Sequence, residues 1–210
     1  MASVTSIFIG IDVACAQRKR LPICVASFHG DRLEPLELPP EIARALPLGP
    51  GNIEVLQDGP FRSAAAMLAR TLDRGAKEYN WEITRVALDA PAAPPATGER
   101  AAEKALRQRG LSSFQTPDKE RWRQIFRICR EHLRRRAALS RMPHANKIWM
   151  LYGFEIFEVL RSIGHEVIEV YPYAIVRALL PECPHKRTAE GYRRQLESVA
   201  AATNRMPPDL

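Results

Sequence analysis

The sequence predicts an α/β protein: a mixed five-stranded sheet, with an antiparallel meander of three strands followed by two parallel strands, and helices on both faces. Three observations predict it. Apolar runs of strand type at Ser6–Ala14, Ile83–Asp89 and His165–Tyr171 each carry a carboxylate near the downstream end. Two further apolar stretches follow the first run after short polar connections, the second of them across the turn His29-Gly30-Asp31. Helical patterns precede the last two runs, as a crossover between parallel strands requires.

Taken in order, residues 6–14 have few polar interruptions and read as a central strand covered on both faces. Residues 21–28 and 32–38 complete the meander, and the Pro- and Gly-rich stretch 39–59 reads as a loop. Phe61 to Lys77 carries Ala, Met and Leu at helical spacing, with Pro60 at the favoured start. The strand 83–89 is stopped by Pro91, since proline cannot donate to a ladder and restricts the residue before it. Helices are expected over 99–108, 119–139 and 145–163, forming a helical insertion at about 98–163 before the last strand, which Pro172 ends. Two more are expected over 174–180 and 188–202.

At 210 residues, with 46% hydrophobic residues, the chain suits one domain, 1–210, with ample material for a core. A net charge of +7 permits nucleic-acid binding without establishing it. Four cysteines, Cys15, Cys24, Cys129 and Cys183, show no CxxC spacing, which reads as reduced thiols in an intracellular, cytoplasmic protein. No run is long enough to span a bilayer, and the N-terminus lacks the pattern of a secretory leader. The five histidines have no metal-ligand spacing, so zinc is not expected. There is no P-loop, no GxGxxG and no GxSxG.

The carboxylates carry the chemistry. An acid in an apolar strand is costly to bury unless it reaches a sheet edge or meets a cation. Asp12, Asp89 and Glu169 sit at the downstream ends of their strands, where open α/β sheets place ligands. Brought together they would take up protons or bind a hard cation, Mg²⁺ or Mn²⁺, suited to phosphoryl chemistry. Taken singly, each acid could equally cap a helix or pair with arginine.

A set of short motifs then carries a resemblance across nearly the whole chain. These are Gly10-Ile11-Asp12, Leu88-Asp89-Ala90-Pro91, Gly98-Glu99-Arg100-Ala101-Ala102-Glu103, Gly153-Phe154-Glu155, Glu169-Val170-Tyr171-Pro172 and Lys186-Arg187-Thr188-Ala189-Glu190-Gly191-Tyr192-Arg193-Arg194. In this order they resemble the domain of unknown function 429 family, a predicted nuclease group. The resemblance implies an RNase H-like fold, a metal-dependent nuclease using activated water, and Asp12, Asp89 and Glu169 as catalytic and metal-binding acids. RNase H-like nucleases usually carry a further acid on a C-terminal helix. The sequence reaches Met206-Pro207-Pro208-Asp209-Leu210 about where that helix would begin. Three alternatives stay open: truncation there, Asp209 opening the element, or a site without its fourth acid.

Arg100, Lys186 and Arg194 follow the acidic strand ends and are candidates to hold substrate phosphate. Over the arginine-dense helix, Arg123, Arg127, Arg130 and Arg134 share one side, opposite Trp122, Ile125, Phe126, Cys129 and Leu133. That stripe would attract a DNA or RNA backbone by displacing counterions, with Arg123 and Arg127 as contact residues. The rival reading is a nucleic-acid-binding or interaction protein on the same scaffold, without turnover. An actin-like ATPase is disfavoured because Ala14-Cys15-Ala16-Gln17 offers no glycine for a phosphate turn.

Overall fold

The computed structural model describes residues 4–17, 19–57, 61–111, 114–182 and 184–202. Pro60, Cys183 and the C-terminal stretch with Asp209 lie outside the described residues. β1 (Thr5–Asp12), β2 (Ile23–His29) and β3 (Arg32–Leu36) form the expected antiparallel meander, and β4 (Trp81–Asp89) and β5 (Val167–Glu169) run parallel to β1. The sheet order is β3-β2-β1-β4-β5, so β1 is central and β2 alone is reversed.

The alternation of side chains across the pleat decides what the sheet buries. Ile7, Ile9 and Ile11 of β1 are buried together with Val25, Val86, Leu88 and Val167. On the other face Phe8 and Gly10 are half-buried, and Cys24, Phe28 and Ile168 are exposed. A Cβ built on Gly10 would meet nothing within 4 Å. The expectation of a strand covered on both faces is therefore corrected: among the described residues the apolar layer lies on one face. The even positions of β1, Phe8 and Gly10, broke no apolar run and so hid the alternation in the sequence.

The covering layer consists of α3 (Phe61–Glu78) and α6 (Ala145–Ser162), which pack on each other and on β4, with α5 (Lys119–Arg134) contributing Trp122, Ile125 and Cys129 to the same core. The segment before β5 also holds α4 (Ala101–Gln108), and α7 (Pro172–Leu179) and α8 (Ala189–Ala202) close the chain. α5 ends at Arg134, earlier than the 119–139 expected, and Arg136 lies in the left-handed region at φ 53°. The stretch 39–59 is not wholly a loop: it holds α1 (Pro40–Ala45) and α2 (Asn52–Leu56). Helices of one or two turns are marginal alone. These form because Ile42, Val55 and Leu56 are buried, with the α1 side chain Ile42 lying 3.2 Å from the position of a Cβ on Gly75 of α3. No helix among the described residues is long and apolar enough to cross a membrane. Cys15, Cys24 and Cys129 are unpaired.

α6 crosses directly over the end of β4. A Cβ on Gly153 would stand 2.6 Å from the Cβ of Ala90, well inside van der Waals contact. This close approach explains why a helix that otherwise favours large side chains has glycine at position 153: the helix must rest on Ala90, next to Asp89. Gly153→Ala is expected to cost about 1–3 kcal/mol through overpacking, despite alanine's better helix propensity. Ala90→Gly should restore part of it. Urea midpoints of the two single variants and the pair measure this. Equal midpoints throughout would show that the helix shifts freely.

Candidate functional site

Asp12 and Asp89 are register partners on adjacent parallel strands, so they leave the sheet side by side on one face. The apolar residues before each, Ile11 and Leu88, anchor the strands in the core and hold the two carboxylates at the downstream rim. Asp12 is exposed and Asp89 half-buried. The Asp89 carboxyl is pushed up to about 6, first by burial and then by the charge of Asp12, while Lys186 pulls it back down. The pair is thus a focus of negative potential whose inner member holds its proton up to about pH 6.

Lys186 reaches this point from the turn before α8. Thr188 caps that helix: its Oγ1 accepts from Gly191 N at 3.1 Å and donates to His185 O at 3.0 Å. The turn folds so closely on the helix that a Cβ on Gly191 would lie 2.3 Å from His185 O. The Lys186–Arg194 motif is therefore a cap and a close contact that together fix where Lys186 stands.

The acids and Lys186 border a cavity of about 940 Å³. Its floor is the stretch from Val13 to Gln17, tied to the next loop by Gly51 N donating to Cys15 O at 2.8 Å. Gly51 has φ +80°, and a Cβ there would lie 2.4 Å from the Gln17 side chain, so only glycine allows the two loops to meet. Aromatic side chains line the cavity: Phe114 and Trp149 meet edge to face at 5.9 Å, and Tyr171 and Tyr173 lie 6.0 Å apart. Burial pushes the Cys15 thiol up to about 12, which keeps it protonated and unreactive as a nucleophile.

Glu169 does not join the aspartates in this way. Its register partner is Leu88, not Asp89, so the pleat turns it to the other face. There Arg100 takes it bidentately, with Nη1 to Oε1 at 2.6 Å and Nη2 to Oε2 closer still, and Ala92 N donates to it at 3.1 Å. Arg100 also contacts Glu103 at 3.5 Å. Glu103 is only 5% exposed and accepts from Thr116 N at 3.1 and 3.0 Å and from Thr116 Oγ1. The structure thus sets Asp12 beside Asp89 and engages Glu169 with Arg100. Asp89 and Glu169 both border a narrow void of about 40 Å³, yet among the described residues no group of three or more His, Cys, Asp or Glu could hold a metal ion.

The remaining candidates fall in different places. Arg100 is engaged with acids rather than turned to the cavity. Arg194 is half-buried on α8, where its neighbour Gln195 lines the cavity. Arg123 and Arg127 border a separate groove with Phe126, Arg130 and Arg134. In it Arg123 pairs with Glu120 at 2.8 Å and Arg130 lies over Phe126 at 5.6 Å. The aromatic wall was missed in the sequence because Phe114, Trp149 and Tyr173 come from three distant elements and share no spacing. Tyr171 alone was inside a quoted motif.

No curated protein and no solved structure matches the chain. The family model described as protein of unknown function (DUF429) matches residues 10–209, and the chain belongs to that family.

Proposed function

We propose that the protein is a metal-dependent nuclease of RNase H-like fold, hydrolysing phosphodiester bonds with Mg²⁺ or Mn²⁺. The observation that carries the reading is the Asp12–Asp89 pair, side by side on the two central parallel strands with Lys186 beside it. The strand order with β2 alone reversed supports the RNase H-like part, because that sheet places its acids on these two strands. The donor set fits the ion: two hard oxygen ligands suffice for Mg²⁺, which keeps several waters and takes further oxygens from substrate phosphate. Asp12 and Asp89 would hold it. When bound, the ion supplies a Lewis acid for the phosphoryl oxygens and lowers the pKa of water.

The chain's own groups then have separate tasks. Asp89, its carboxyl raised to about 6 by burial and by the charge of Asp12, presents a site whose repulsion a cation relieves. Lys186 adds a positive charge on the same side, where it would hold a phosphate oxygen. Arg123 and Arg127, on their separate groove, would steer a nucleic-acid backbone rather than touch the reacting bond.

Labelled DNA and RNA oligonucleotides incubated with Mg²⁺ or Mn²⁺ test this. Cleavage should require the metal and stop with EDTA. The rival reading, a nucleic-acid-binding protein without turnover, draws on the absence of a third clustered acid among the described residues. It predicts salt-sensitive binding that needs no metal and yields no product.

A further inference from the structure

We infer that the cavity takes one unpaired nucleoside phosphate unit, its base on the aromatic wall and its phosphate at the Asp12, Asp89 and Lys186 end. This deepens the phosphoester reading and rests on it. The cavity's lining combines two chemistries: the charges of Asp12, Asp89 and Lys186, and the aromatic side chains of Phe114, Trp149, Tyr171 and Tyr173. At about 940 Å³ it falls in the range of roughly 300–1,000 Å³ that encloses a single drug-sized ligand. A half-open pocket of that size has room for one nucleotide. A stacked duplex hides its base faces and offers only edges in the grooves.

An unstacked base exposes a π face, and the wall is built to meet one. Phe114 is 53% exposed although it is large and apolar, and it stands against Trp149 with the rings 76° apart. An edge-to-face pair leaves ring faces free to accept a further ring. Gln195 and Asn52 also line the cavity and carry amide groups able to bond base edges. The arginine groove on α5 shares no residue with this cavity, so a strand held there would be a separate contact. The shared ligand chemistry is a base, a sugar and a phosphate, whether free or as an unpaired nucleotide of a strand.

Isothermal titration of the whole protein tests the assignment with adenosine 5′-monophosphate, ribose 5-phosphate, a single-stranded oligonucleotide and the same sequence as a duplex, each with Mg²⁺ and with EDTA. The monophosphate should bind at least about tenfold more tightly than ribose 5-phosphate, the size of one stacked base. Phe114→Ala should remove that advantage, leave ribose 5-phosphate binding unchanged and preserve the thermal melt. Phe114→Tyr should restore it. Competition by the single strand but not the duplex supports an unpaired nucleotide of a strand, and competition by neither supports a free nucleotide. Equal binding of the two small phosphates, or monophosphate binding indifferent to Phe114→Ala, overturns the proposal and leaves the hydrolase reading standing. Binding that depends on Phe114, without metal-dependent cleavage of any of these compounds, upholds the site and removes the hydrolase reading.

Discussion

Asp89→Asn is expected to abolish metal-dependent cleavage and, in the absence of metal, to raise the melting temperature above about pH 6. The loss follows from the removal of one of the two carboxylate charges proposed to hold the ion. Charge stabilisation by a bound ion is worth several kcal/mol, so activity should fall roughly a thousandfold. Asp12→Asn should lose activity to a similar extent. The gain in stability follows from linkage. The Asp89 carboxyl is raised from 3.8 to about 6, so the folded state holds a proton that the unfolded chain would release. Its contribution to stability is fully present below 3.8 and is lost as pH rises through about 6. Asparagine is indifferent to this, so the variant should match the wild type in acid and exceed it at pH 8. Thermal melts in EDTA across that range, beside cleavage assays in Mn²⁺, measure both halves. A variant that still cuts places the chemistry elsewhere. A variant that melts lower than wild type at pH 8 shows that the pair is a structural contact rather than a site held under repulsion.

The largest expected effect on stability belongs to Arg100. Its guanidinium joins Glu169 at the end of β5 to Glu103 of α4, and Glu103 in turn holds the backbone of Thr116. Glu169 pushes the guanidinium still further into its charged form. Arg100 and Glu103 are largely out of water, with side chains 15% and 6% exposed, while the side chain of Glu169 is 29% exposed. Arg100→Met leaves two carboxylates without their cation, at a cost of about 3 kcal/mol. For a domain of this size that is a fall of roughly 6–12 °C in the melting temperature. Glu169→Met should cost less because Arg100 keeps Glu103, and the double variant should recover part of the loss of Arg100→Met. A cycle without coupling would mean that the contacts are ornamental. The same network bears on the site: Glu169→Gln should keep more than a tenth of the cleavage activity. Loss as complete as that of Asp89→Asn would restore Glu169 as a third ligand.

The motifs that carried the family resemblance turn out to combine two kinds of residue. Asp12, Asp89 and Lys186 meet at the cavity. Gly153, Gly191, Glu103 and Arg100 hold the elements that bring them there, by close packing or by ion pairs. Sequence alone does not separate the two kinds, because a strand-end acid that meets a neighbour's carboxylate looks the same as one that meets an arginine.

The order of most elements along the chain and the acids at the strand ends could be read from the chain, because proline stops, helical spacing and apolar runs are local properties of the backbone. Register could not, and register decided the site: a shift of one residue in β5 turned Glu169 to Arg100 and left Asp12 and Asp89 as a pair. Nor could α1 and α2, which are too short to form without the core they pack on, or the aromatic wall, assembled from residues far apart in sequence. These depend on which surfaces meet after folding, and a side chain's neighbours across a sheet or cavity leave no periodic trace in the chain.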